Sequence, residues 1–344
     1  MYSLAANARA VRKQPKDESW LEDGTSRAGV APGASRGEAL NEDGTPAWFT
    51  QQKDGTLEVL DDEGNCAQIV PRKLCEWLIH QCQVRGVKIH TSCRAVNIFK
   101  NAEGEVAGVR LVKDGDMYDH NASNIVVASG AWTPNAFRSI FHDSTLRIPI
   151  IPLAGYSATF RSPRLTKPII DPSRQSTTPG EVCHAIYCSP TSSWSISPEV
   201  FSRLTPDGPE IWLGGLNDAQ LELPPTADET AKLKDSAKSE DLRNVMVAMT
   251  GLSEKGDNLN TNDLDLRAES ICFRPITRSG YPIISKVDEK QLGKDIHMQD
   301  NGGVYIASGH GPWGISLSLG TGLVVAQMLL GKKLSATVSR LGLR

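Results

Sequence analysis

The chain has 344 residues, 39% of them hydrophobic and 22% charged, and a net charge of -3. This suffices for one large or two ordinary soluble domains with a real core, and with no Lys/Arg stripe it gives no reason to expect nucleic acid as a partner. No apolar run reaches the roughly 18 residues that would mark a transmembrane helix.

The first 16 residues carry Arg9, Arg12, Lys13 and Lys16 and no acid. They read as an exposed basic start, with a mitochondrial presequence as the alternative. Residues 17–46 are rich in Gly, Ser, Ala, Glu and Asp, which predicts a loop. "AWFTQQKDGTLEVLDD" (47–62) reads as a hairpin turning at Asp54-Gly55. Pro71 suits the first position of a helix. Leu74, Cys75, Leu78 and Cys82 follow at helical spacing, so residues 71–84 form a helix with one buried face, ended by Gly86. "VKIHT", "AVNIFK" and "EVAGVRLVK" read as three strands. In "NIVVASGAWTP" a continuous apolar run ends in Ser-Gly, as in a parallel strand covered on both faces.

From Ile148 short strands alternate with Pro and Gly: "RIPIIPLAGYSATF", "HAIYCS", "SWSISPEVFSRL" and "EIWLGGL", with Thr205–Gly208 as a hairpin turn. Residues 228–250 read as a polar surface helix. This block predicts an antiparallel domain separate from the parallel one. "YIAS" (305–308) returns to the buried-strand pattern, and the helix after it, residues 321–330, is apolar nearly all round and therefore expected to be buried. The seven cysteines include no C-x-x-C pair and are odd in number, and the seven histidines include no H-x-x-x-H pair. That predicts buried or semi-buried thiols in a reducing compartment, hence the cytoplasm, and no metal site.

"GHGPWG" (309–314) fits G-x-G-x-x-G, the fingerprint of a dinucleotide pyrophosphate site. That fingerprint needs a second strand and an acidic ribose partner about 20 residues on. No Asp or Glu occurs from Gly314 to Arg344, and the end of the chain is too short and polar for the remaining unit. These glycines therefore serve something other than a pyrophosphate.

Four stretches in order resemble the FAD-dependent oxidoreductases of the D-amino-acid oxidase type: "NCAQIVPRKLCEWL" (65–78), "IVVASGAWTP" (125–134), "CFRPITRSGYPII" (272–284) and "VYIASGHGPWGISLSLGTG" (304–322). The likeness is greatest to the fungal branch with a G-H-x-x-W-G-I motif. It implies an α/β (α+β) fold, with an incomplete Rossmann-like FAD-binding domain at 65–147 and 296–344. It also implies an antiparallel substrate domain at 148–295, after a loop-rich segment at 1–64. It implies non-covalent FAD held by Gly309, His310, Gly311, Pro312, Trp313, Gly314, Ile315 and Thr321, with Gly130, Ala131 and Trp132 against the cofactor and Ala95 and Val96 near the adenine. Arg274 matches an Arg-Pro position on the substrate side of the flavin; a structural ion pair is the alternative. The physical reason is general: a reduced flavin carries negative charge near N1 and C2=O, and a helix N-terminus offers N–H groups and partial positive charge there.

His310 reads equally as a ring contact or a structural histidine. Trp132 and Trp313 read as cofactor walls or as core. Tyr156 and Tyr281 read as core or interface, with active-site hydroxyls as the alternative, and Cys272 as a buried, inert thiol, with a place near the site as the alternative. No catalytic base is assigned, because a neutral amine needs little acid–base machinery. The family normally opens with a strand, G-x-G-x-x-G, a helix and an acidic ribose partner, none of which this sequence contains. It reads as a family member without its first dinucleotide-binding unit. Two functions follow: hydride transfer from a small amine or amino-acid-like substrate to flavin N5, or a truncated, non-catalytic interaction module.

Overall fold

A computed structural model describes residues 2–5, 46, 48–50, 56–59, 68–165, 169–170, 181–182, 184–191, 194–205, 207–253 and 260–343. The basic stretch at 9–16, most of the loop at 17–46 and the turn at 54–55 lie outside the described residues. The chain divides into two units, residues 1–68 with 154–272, and residues 69–153 with 273–344. Expected boundaries at 147 and 295 thus fall elsewhere. Residues 273–295 group with the second unit because strand Ile283–Lys286 pairs with strand Gly303–Ser308.

The first unit is built on a seven-stranded sheet. Its order is Asp265–Ile276, Ile151–Arg161, Gly208–Asp218, Glu199–Thr205, Ala185–Cys188, Tyr2–Ala5 and Thr56–Val59. Thr205 pairs with Gly208 across the expected hairpin. Thr56–Val59 pairs antiparallel with Tyr2–Ala5, and the first strand and turn of the expected hairpin fall mostly outside the described residues. The polar stretch at 228–250 splits into a 3-10 helix, Ala227–Leu233, and an α-helix. We call the latter α3 (Ser236–Thr250), after α1 (Pro71–Val84) and α2 (Thr133–Ile140) of the second unit. α3 starts on Asp235, whose carboxylate accepts the Ala237 N–H. It is not a surface helix: Leu242, Val245, Met246 and Met249, at helical spacing, are buried with Phe160, Ile211 and Leu213 of the sheet.

In the second unit, strand Gly303–Ser308 lies between Asn124–Val127, parallel, and Ile283–Lys286, antiparallel. Val304, Tyr305 and Ile306 are all buried, as expected of a strand covered on both faces. Asn124–Val127 is the edge of this sheet: Ile125 and Val127 are buried while Val126 is 39% exposed. α2 follows it and packs Phe137 and Ile140 onto the core that holds Ile125, Val127 and Ile306. A second sheet pairs Cys93–Lys100, Glu105–Lys113 and Asp116–Asn121. The expected strand at 87–91 is not formed, and Asp116–Asn121 takes the edge instead. The fold class is thus α/β (α+β), with a short parallel pair in one unit and a mainly antiparallel sheet in the other.

Two helices depart from expectation in burial. α1 has the expected ends, but none of its residues is buried, and Trp77 is 58% exposed. Cys75 and Cys82, expected to be buried, are exposed for that reason. The last helix, α4, spans Gly314–Leu329 and buries only Val324 and Val325. It starts seven residues earlier than expected because nothing after Pro312 breaks it, and Gly320 and Gly322 are only mildly unfavourable inside a helix. Residues 311–329 carry no charge and are long and apolar enough to cross a membrane by length and composition, a test that the core helix of a soluble protein also passes.

Candidate flavin site

The second unit sets two strand-to-helix turns side by side. Parallel strands Asn124–Val127 and Gly303–Ser308 each lead through a glycine with positive φ into a 3-10 turn and then a helix. Gly130 has φ 56°, Gly309 φ 81° and Gly311 φ 54°, left-handed values that glycine adopts without steric cost. The 3-10 turns are Gly130–Trp132 and Gly311–Trp313, leading into α2 and α4. Pro134 and Pro312 sit in first turns, where the missing N–H costs nothing. The buried Ser308 hydroxyl donates to the Gly130 carbonyl at 3.0 Å and ties the two turns together. Neither turn nor either helix has a side-chain cap at its start. Two sets of backbone N–H groups, with the partial positive charge of helix N-termini, therefore stand at one end of the strand pair.

The glycines differ in what they face. A Cβ added at Gly130 or Gly314 meets nothing within 4 Å, and one at Gly311 meets only Ile276 Cγ2 at 3.7 Å. Open space beside uncapped N–H groups fits a flat ring with an electron-rich edge, which is what the pyrimidine end of a flavin presents. Gly309 instead is buried against protein, where a Cβ would come within 2.7 Å of Thr277 Cγ2.

Of the other expected residues, Ala131 is buried and Pro312 and Trp313 are half-buried. Trp132 is half-buried and meets Phe273 edge-on at 6.3 Å. Ile315 is exposed, beside Leu319 and Leu323 on an open face of α4. Thr321 lies two turns inside α4, so it offers no helix-start N–H; its hydroxyl meets His310 Nε2 at 2.9 Å. Burial lowers the His310 pKa, which favours the neutral imidazole.

Ala95 and Val96 are not brought to these turns. Val96 falls at a register shift in its strand. The Ala95 carbonyl accepts from Ser139, and the Val96 carbonyl is 2.9 Å from His142 Nε2, at the far end of α2 from Gly130. Arg274 follows Phe273 in strand Asp265–Ile276 and is half-buried. Tyr156 packs in the core of the first unit and Tyr281 is exposed. Cys272 is exposed, contrary to expectation, because it lies on a strand face where alternate residues are open; among the described residues the buried thiol is Cys188, whose pKa burial raises.

Sequence reasoning missed Thr277 and Ser308. The Thr277 hydroxyl donates to the Tyr281 carbonyl at 2.7 Å and closes the turn that packs on Gly309. The only signals were a Thr opening "TRSG" and a Ser at a strand end, both common.

Residues 12–328 match the family model described as "DAO: FAD dependent oxidoreductase". A Saccharomyces cerevisiae protein named "Putative oxidoreductase TDA3" is 26% identical over 227 residues, 64% of this chain and 34% of that protein. The match thus spans about a third of the length of that curated relative. Among solved structures, glycine oxidase from Geobacillus kaustophilus superposes with a TM-score of 0.60 at 17% identity, covering 100% of this chain and 74% of that one. L-proline dehydrogenase from P. horikoshii superposes at 0.56 and 13% identity, covering 99% and 75%. These likenesses carry the fold, and the family match carries the assignment: the chain belongs to the DAO family of FAD-dependent oxidoreductases.

Proposed function

We propose that the protein oxidises a small amine or amino-acid-like substrate using non-covalently bound FAD, which supplies the hydride acceptor. The observation that carries this reading is the tied pair of glycine turns, with open space at Gly130 and Gly314 and no side-chain caps. Their backbone N–H groups would bind the electron-rich pyrimidine edge and favour its reduced, more negative form. Trp132 and Trp313 would flank the ring, and Ala95 and Val96, at the far end of α2, would serve the adenine end of an extended cofactor. Arg274 would take a substrate carboxylate in a bidentate fork. The substrate class is supported by neighbours named as a glycine oxidase, an iminodiacetate oxidase and an L-proline dehydrogenase. Orienting the amine and shielding the site from water is the work left to the side chains, because a neutral amine needs no strong base.

Anaerobic mixing of the FAD-loaded chain with panels of amino acids, secondary amines and 2-hydroxy acids tests this directly. Bleaching of the flavin bands by amines or amino acids is the expected result. Bleaching by hydroxy acids alone would overturn the substrate class.

A second reading, a non-catalytic interaction module, is favoured by the apolar surface left open on α1, α4 and Val126. It predicts no flavin reduction by any substrate in the panel despite a folded chain.

A further inference from the structure

The glycine turn before α4 is the least self-determined part of the site. His310 sits between Gly309 and Gly311, both with positive φ, and glycine occupies many other conformations at little cost. Within the turn the Trp313 N–H donates to the His310 carbonyl at 3.0 Å, and a long-range contact holds the His310 side chain. His310 Nε2 lies 2.9 Å from the Thr321 hydroxyl, eleven residues on.

Thr321 is well placed to act as an anchor. At offsets of three, four and seven it shares a helix face with Val324, Val325 and Met328, which pack with Ile284 and Ala307. A β-branched threonine has few rotamers in a helix, and the hydroxyl of a mid-helix threonine ordinarily turns to its own helix backbone. Here it is directed at the imidazole. A threonine hydroxyl can donate to or accept from an imidazole nitrogen, so this contact holds the ring's orientation in either tautomer.

We propose that Thr321 is a positioning residue: through the His310 ring it locks the backbone of residues 309–314 in the conformation that presents its N–H groups to the flavin. The proposal rests on the flavin reading of this site. It assigns Thr321 a role through its side chain, distinct from a helix-start contact with the cofactor.

The experiment uses the full chain and four variants: Thr321→Val, Thr321→Ser, His310→Phe and the Thr321→Val/His310→Phe double. FAD affinity is read from quenching of flavin fluorescence, the ring environment from visible circular dichroism of the bound flavin, and folding from thermal melts without FAD. Thr321→Val, which keeps shape and loses the hydroxyl, is expected to weaken FAD binding about five- to tenfold, the size of one lost hydrogen bond, and to change the flavin dichroism. Thr321→Ser is expected to bind within about twofold of wild type. His310→Phe breaks the same bond from the loop side, and the double variant is expected to lose no more than either single one. Thr321→Val binding FAD like wild type with unchanged dichroism overturns the proposal, as does Thr321→Ser failing as badly as Thr321→Val. A wild-type chain that takes up no FAD overturns the flavin reading itself, and this proposal with it.

Discussion

Gly309 and Gly314 belong to one motif and carry opposite constraints. Gly309 combines φ 81° with a Cβ position 2.7 Å from Thr277 Cγ2. Gly309→Ala is expected to lower stability by about 1–3 kcal/mol, read as a fall in Tm. Adding Thr277→Ser removes the contact but not the backbone strain, and should recover only part of the loss. Gly314 has helical φ and open space. Gly314→Ala should hold or raise the Tm of the FAD-free chain, by up to about 1 kcal/mol, while weakening FAD binding. A structural glycine would lose both; a cofactor-facing one loses only the second.

His184 supplies a pH prediction. It is buried, its pKa is pushed down to about 4 by burial, and Trp48 Nε1–H points at its Nδ1, which suits the neutral ring. Above pH ~6.5 neither folded nor unfolded chain protonates this group. As pH falls from 6.5 towards 4 the unfolded chain takes up a proton that the folded one does not, so stability falls across that window, by about 3 kcal/mol in the limit. His184→Gln should flatten this part of the profile of urea midpoint against pH. The glycines of the site were legible because turns demand them. Thr277, Ser308 and the His310–Thr321 pair were not, because serine and threonine make such bonds in many places, and for Ser308 and Thr321 only the fold brings the partner near.

Elements were legible in place more than in environment. α1 runs between Pro71 and Val84 as its sequence predicts, because Pro71 and Gly86, with φ 82°, mark both ends chemically. Its burial was not legible, since an apolar face says what a helix can bury and not what covers it. Trp77→Ser should therefore change the stability of this chain by less than about 0.5 kcal/mol, whereas Phe137→Ala, on a helix whose face is filled, should cost about 3–5 kcal/mol in urea denaturation. The reverse error occurred at α3, read as polar and exposed although Leu242, Val245, Met246 and Met249 sit on one face. The start of α4 was misread because Thr321-Gly322 looked like a boundary, while the preceding "GISLSLG" had no breaker.

At the scale of the molecule, class and chain order were legible because two hydrophobic patterns differ. Buried runs such as "VYIAS" mark the parallel pair, and short Pro- and Gly-bounded strands mark the antiparallel sheet. Boundaries were less so: strands Ile151–Arg161 and Asp265–Ile276 run from one unit into the other without a linker, so no composition shift marks the crossing. The central claim is that the paired turns of the second unit hold a flavin. The most direct test is the visible absorption spectrum of the purified chain after incubation with FAD and desalting. Flavin bands that stay with the protein, and diminish in Gly314→Ala, are predicted. A folded chain that emerges colourless would contradict the account.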